Sequence, residues 1–246
     1  MWVLESDTSS NPLIGASTSA EIEHDLTDAD GSLEFQGTAS ARASFNTLSA
    51  QAGGALYNSF FDPDYDFDSQ TGVPQNYGSF SSAEFTQTLS YGGMAMNYTS
   101  TYILRLTGTI LTPGYGAVTV RLTHGNETPQ EWSFLANDSY DIPIFSQAYV
   151  HGVSPQQFSL AIFVTHDFDT GTLAEGGNYE GSVLFGNTLR VEGVDLRDEN
   201  GNLAPPGTIT SNSGEVFQIM AVPEPGTLAL VPISMGMLIF SRRRRE

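Results

Sequence analysis

Residues 32–45, SLEFQGTASARASF, alternate without a break. Leu33, Phe35, Gly37, Ala39, Ala41, Ala43 and Phe45 hold one parity, and Glu34, Gln36, Thr38, Ser40, Arg42 and Ser44 hold the other. Apolar character with a period of two marks a strand with one buried face, because successive side chains of a strand point to opposite sides. The small residues on the buried parity predict a close approach by an opposing sheet. The same rule governs Ala83, Phe85 and Leu89 in SAEFTQTL, Tyr102, Leu104 and Leu106 in TYILRLTGTIL, and Val118, Val120 and Leu122 in AVTVRLT. FSLAIFVT, residues 158–165, is almost continuously apolar and predicts a central strand covered on both faces. With SVLFGN, TLRVEGVDL and EVFQIM the count reaches about nine to eleven strands, separated by Gly, Asn, Asp and Pro clusters.

No stretch of the body has sustained helical periodicity, and no repeat of fixed period is present. The pattern therefore predicts an all-β chain: one antiparallel β-sandwich, jelly-roll-like, over residues 21–220. Residues 1–20 are small, polar and aperiodic and read as a flexible leader, and residues 221–246 as a separate tail. In LRVEGVDLRDENGNLAPPG, Asn200 and Gly201 are the expected left-handed turn positions.

Charge narrows the possible partners. The 246 residues include nine arginines, no lysine and 28 acids, for a net charge of −19. The stretch before Val222 holds 26 of the acids and only five of the arginines, a net charge of −21. Such a surface repels phosphate backbones, which excludes nucleic-acid binding through a basic patch. No cysteine is present, so disulfides and thiolate metal sites are excluded as well. His24, His124, His151 and His166 are far apart and form no HxH or HxxxH pair, so they read as surface or satisfied loop residues rather than zinc ligands.

Among stretches that could carry chemistry, FFDPDYDFDSQTG places Asp62, Asp64, Asp66 and Asp68 on one side of an extended segment, an arrangement that suits calcium. An EF-hand loop is not matched: counting from Asp62, position six is Phe67 and position twelve is Val73. A solvated acidic loop is the alternative. DLTDADGS, residues 25–32, also fails the calcium-loop pattern and reads as a turn into the next strand. FDTGT, residues 168–172, carries the Asp-Thr-Gly of aspartic proteases at Asp169, but only once, whereas that chemistry needs two aspartates sharing a proton. Glu127 and Glu131 flank Trp132, which could serve a glycosidase, although Trp132 alternates with Phe134 as a core residue does. A noncatalytic carbohydrate-binding face on the same sandwich is the stronger of the two sugar readings. Asn97, Asn126 and Asn137 head Asn-x-Ser/Thr sequons, and no GxSxG, phosphate loop or dinucleotide fingerprint occurs.

The tail is the most specific signal. VPEPGTLALVPISMGMLIFSRRRRE combines Pro223, Glu224 and Pro225 with a charge-free span over residues 226–241 and the cluster Arg242, Arg243, Arg244 and Arg245. As a helix the span would rise about 24 Å at about 1.5 Å per residue, close to but short of the roughly 30 Å hydrocarbon core. A buried core strand accounts for neither the Pro-Glu-Pro entry nor the arginines. The three parts in this order resemble the bacterial PEP-CTERM sorting signal, whose members are exported and recognised by an exosortase-type membrane peptidase. The resemblance implies that Pro223, Glu224 and Pro225 are the recognition motif and that the arginine cluster retains the tail on the cytoplasmic side. It also implies a short C-terminal hydrophobic sorting helix and transient anchoring in the cytoplasmic membrane, followed by delivery to the cell surface or extracellular matrix. More loosely, GTASARASF, SSAEFTQTL and FGNTLRVEGVDLRDENGNLAPPGTITSNSG resemble β-rich bodies found ahead of such tails. Family members carry an N-terminal secretion signal; here Glu5 and Asp7 interrupt the start and no Lys or Arg precedes them, so a signal is expected upstream of this start. The expected function is a noncatalytic exported surface or matrix protein associated with polysaccharide, the alternative being a secreted hydrolase.

Overall fold

The computed structural model describes residues 16–27, 32–58, 76–92, 97–151, 155–169 and 178–222. Among them are twelve strands: β1 (Ala16–Thr27), β2 (Ser32–Ser44), β3 (Thr47–Asn58), β4 (Asn76–Tyr91), β5 (Tyr98–Leu111), β6 (Tyr115–His124), β7 (Gln130–Phe134), β8 (Ser139–Phe145), β9 (Tyr149–His151), β10 (Gln156–Asp169), β11 (Asn178–Asp198) and β12 (Ile209–Ser211). No helix occurs among the described residues, and every pairing between strands is antiparallel. A seven-stranded sheet runs β1-β2-β3-β11-β5-β8 with β9 also on β5, and a five-stranded sheet runs β12-β4-β10-β6-β7.

The two sheets face each other across one core. Leu48, Ala50 and Ala52 of β3, Leu104 and Leu106 of β5, and Val183 and Phe185 of β11 meet Phe85 and Leu89 of β4, Val118 and Val120 of β6, and Leu160 and Ile162 of β10. Full burial of side chains this size is worth about 1.5–3 kcal/mol each. Phe158 of β10 is fully buried and spans the gap, its ring centroid 4.7 Å from Tyr102 and 5.8 Å from both Phe85 and Phe217. The sheets approach closely at Gly53: the Ser79 hydroxyl of β4 donates to the Gly53 carbonyl of β3, in the opposite sheet, at 3.0 Å.

Four details depart from the sequence reading. β10 is central in its sheet, but its outer face is only partly covered; Ala161 is buried there, whereas Ser159, Phe163 and Thr165 are partly exposed. SVLFGN and TLRVEGVDL form one strand, β11, whose register shifts between Phe185 and Leu189 and again between Val191 and Gly193. EVFQIM forms no named strand and contributes isolated bridges, Thr210 to Val216 and Val194 to Ile219. Gly201 takes the left-handed turn position (φ 82°), whereas Asn46 is the residue besides glycine with positive φ (60°) among those described, in the β2–β3 connection. β1 begins at Ala16, inside the stretch that reads as leader.

Candidate functional site

Most residues singled out for chemistry fall outside the described residues: Asp62, Asp64, Asp66 and Asp68, and the tail with Pro223, Glu224, Pro225, Arg242, Arg243, Arg244 and Arg245. Among the described residues no group of three or more His, Asp or Glu is placed to hold a metal ion, and no helix is long and apolar enough to cross a membrane. Asp169 ends β10 opposite Asn76, and the residues after it are outside the described set. Glu131 and Trp132 do not share a surface. Glu131 is exposed and ion-paired to Arg121 at 2.6 Å, while Trp132 packs against the core. Asn137 is exposed, yet its amide donates to the Thr112 carbonyl at 2.6 Å and accepts from the Thr112 amide at 3.3 Å, so it clamps a turn.

The outer face of the five-stranded sheet carries an arrangement that the alternation alone could not specify. Glu131 of β7, Arg121 of β6, Phe163 of β10 and Phe80 of β4 contribute one residue from each of four consecutive strands. Arg121 Nε donates to Glu131 Oε1, its guanidinium lies 4.9 Å from the Phe163 ring centroid, and Phe163 stacks on Phe80 at 6.4 Å with 26° between the rings. The row is diagonal to the strands: Phe163 stands opposite Ser82 and Phe80 opposite Thr165, and diagonal neighbours lie within reach of long side chains. Each member restrains the next, so Phe80 is held from one side while remaining 47% exposed. Thr165 stands directly opposite Phe80, and exposed Ser82, Glu84 and Thr86 continue its parity along β4, with Glu84 accepting a hydrogen bond from the Ser159 hydroxyl.

The outer face of the seven-stranded sheet has an open groove of about 990 Å³ floored by Gly53, Ala55 and Ser182 and bordered by Gln51, Glu180 and Leu184. Its lining contains no aromatic ring, so it offers amides and a carboxylate without a stacking surface.

Two histidines lie in the core, contrary to their reading as surface or loop residues. His124 is 2% exposed, shares a hydrogen bond of 3.0 Å with the Tyr91 hydroxyl and stacks on Tyr149 at 5.0 Å, with Tyr102 at 5.7 Å. Burial lowers its pKa to about 4 and pushes Tyr91 and Tyr149 up to about 12. His166 is fully buried; its Nε2 shares a 3.2 Å hydrogen bond with Thr112 Oγ1, its Nδ1 has no partner, and burial lowers its pKa to about 4 as well. Gly181 makes room for it, since a Cβ there would overlap His166 Nε2. The signal was present in the sequence: His124 shares the parity of Val118, Val120 and Leu122, and His166 that of Ile162, Val164 and Phe168.

No protein-family model matches the chain, and no curated protein is detectably similar to it.

Proposed function

We propose that the chain is a noncatalytic exported component of the cell surface or extracellular matrix, sorted through its C-terminal tail, and that it contacts neutral polysaccharide through the outer face of the five-stranded sheet. The observation that carries the ligand class is the row from Glu131 through Arg121 and Phe163 to Phe80. A pyranose ring presents a C–H face that stacks on the electron-rich face of an aromatic ring, and its hydroxyls need donors and acceptors at the rim. Phe80 offers the exposed ring, and Ser82 on the same strand and Thr165 directly opposite offer the rim. Charge favours a neutral polymer: the stretch before Val222 carries −21, and Arg121 is engaged by Glu131.

The strand order supports the jelly-roll reading. Taken in chain order, β3, β4, β5, β6, β7, β8, β10 and β11 distribute as β3-β11-β5-β8 and β4-β10-β6-β7, the alternation produced by two Greek keys folded over each other. That architecture hosts lectins among many unrelated functions, so the ligand argument rests on Phe80 and its neighbours. Export rests on the tail. Its charge-free span partitions into the cytoplasmic membrane, and the four arginines stay on the cytoplasmic side, avoiding about 2.5–3.5 kcal/mol each at mid-bilayer. Pro223 and Pro225 cannot donate backbone hydrogen bonds and disfavour helix at the residues before them, which suits an exosortase-type peptidase.

Affinity electrophoresis through gels containing neutral or acidic polysaccharides tests the ligand class. Retention by at least one neutral polymer is expected, with Phe80→Ala weakening it about tenfold or more, as loss of a stacking contact does. Retention by acidic polymers alone, or by Phe80→Ala as strongly as by wild type, contradicts the reading. Release of sugar products by the wild type, abolished by Glu131→Gln, would replace it with the hydrolase.

A further inference from the structure

Residues 218–222, which precede Pro223 in the sequence, are built against β11. β3 covers one edge of β11 only as far as the pair Thr47 and Arg190. Beyond that point residues 218–222 take over the edge. Val194 N–H donates to the Gln218 carbonyl at 2.8 Å, Met220 N–H donates to the Val194 carbonyl at 3.0 Å, and Val194 and Ile219 form a parallel bridge. Met220 lies over Gly193, where a Cβ would overlap its sulfur.

Asp195 closes the arrangement. Its side chain is 7% exposed and its Oδ2 accepts from Val222 N–H at 2.7 Å. Arg197 supplies the compensating charge, with Nε on Oδ1 at 2.8 Å and Nη2 on Oδ2 at 3.0 Å, and its Nη1 reaches the Gly201 carbonyl. Asp198 orders the turn that carries Gly201 by accepting from the amides of Asn200 and Asn202. A buried carboxylate is tolerated only when such partners surround it, so the backbone of Val222 is part of what satisfies the charge.

We propose that Asp195 restrains removal of the tail by holding Val222, the residue before Pro223, against the edge of β11. The inference rests on the sorting reading of the tail. A peptidase that binds its substrate as an extended strand needs free backbone groups on both sides of the cut, and those of residues 218–222 are partly committed to β11. The hold must therefore open before the segment can enter the cleft, and removing it speeds processing.

Amide hydrogen exchange on the full chain in detergent micelles reads the hold without any peptidase. Val222 in the wild type is expected to exchange at least about tenfold more slowly than in an unstructured peptide of the same sequence, as one charge-assisted hydrogen bond provides. Asp195→Ala should lose that protection. Asp195→Asn, whose amide oxygen still accepts, should keep most of it. In producing cells, tail removal should be faster for Asp195→Ala and near wild type for Asp195→Asn. Exchange of wild-type Val222 at the peptide rate, equal loss in the Asn variant, or unchanged or slower processing of Asp195→Ala overturns the proposal. If Asp195→Ala fails to fold, the wild type and the Asn variant decide. A tail that is never removed from the wild type defeats the sorting reading, and the exchange data then show separately whether the hold exists.

Discussion

Lowering the pH from 7 to 5 is expected to remove on the order of 4 kcal/mol of stability from the body, about 2 kcal/mol for each of His124 and His166. Both imidazoles are buried, and burial lowers their pKa from 6.5 to about 4. In the folded chain they therefore stay neutral down to about pH 4, whereas in the unfolded chain they take up protons near 6.5. The unfolded state binds more protons between these values, so stability is full above about 6.5 and falls as the pH drops towards 4. The ring neighbours of His124 are Tyr91, Tyr102 and Tyr149. Urea denaturation at pH 7, 6 and 5 measures the loss. The variant His124→Gln/His166→Gln should be weaker at pH 7 but much flatter across this window, and a wild type equally stable at pH 7 and 5 contradicts the assignment.

Phe158→Ala is expected to destabilise the body by about 3–5 kcal/mol, the range for emptying a fully buried phenylalanine site. The ring belongs to the five-stranded sheet but touches Tyr102 of the other sheet and Phe217 of the C-terminal segment, so the cavity opens where three parts of the chain meet. Rigid sheets on both sides limit collapse into the space. Phe80→Ala provides the contrast, because its ring is 47% exposed and carries little of the core. Thermal melts should place Phe158→Ala about 10 °C or more below the wild type, with Phe80→Ala within a few degrees of it. Equal effects from the two would mean that Phe158 does not join the sheets.

The all-β class was legible because alternation is a local property. Residues 32–45 and 118–122 give away their inner faces without reference to any neighbour. The same rule placed His124 and His166 on inner parities, but chemistry pulled the reading towards the surface, since histidine usually needs water or a partner; here Tyr91 and Thr112 supply the partners from distant parts of the chain. FSLAIFVT misled in the other direction. Phe163 is apolar and faces outwards, where it is supported by Arg121 and Phe80 across strand neighbours that only the register reveals. The Glu131, Arg121, Phe163 and Phe80 row was illegible for this reason, as its members span residues 80–163 and become neighbours only once four strands are aligned. Asp195 was hidden among 28 acids. What distinguishes it is burial beneath a backbone amide 27 residues further on.

The intact mass of the protein recovered from each compartment of the cell that makes it tests export and sorting together. A chain outside the cytoplasm is expected that lacks Arg242, Arg243, Arg244 and Arg245 and has lost the span over residues 226–241 with them. Full-length protein with the four arginines attached, found only in the cytoplasm, would contradict both export and sorting.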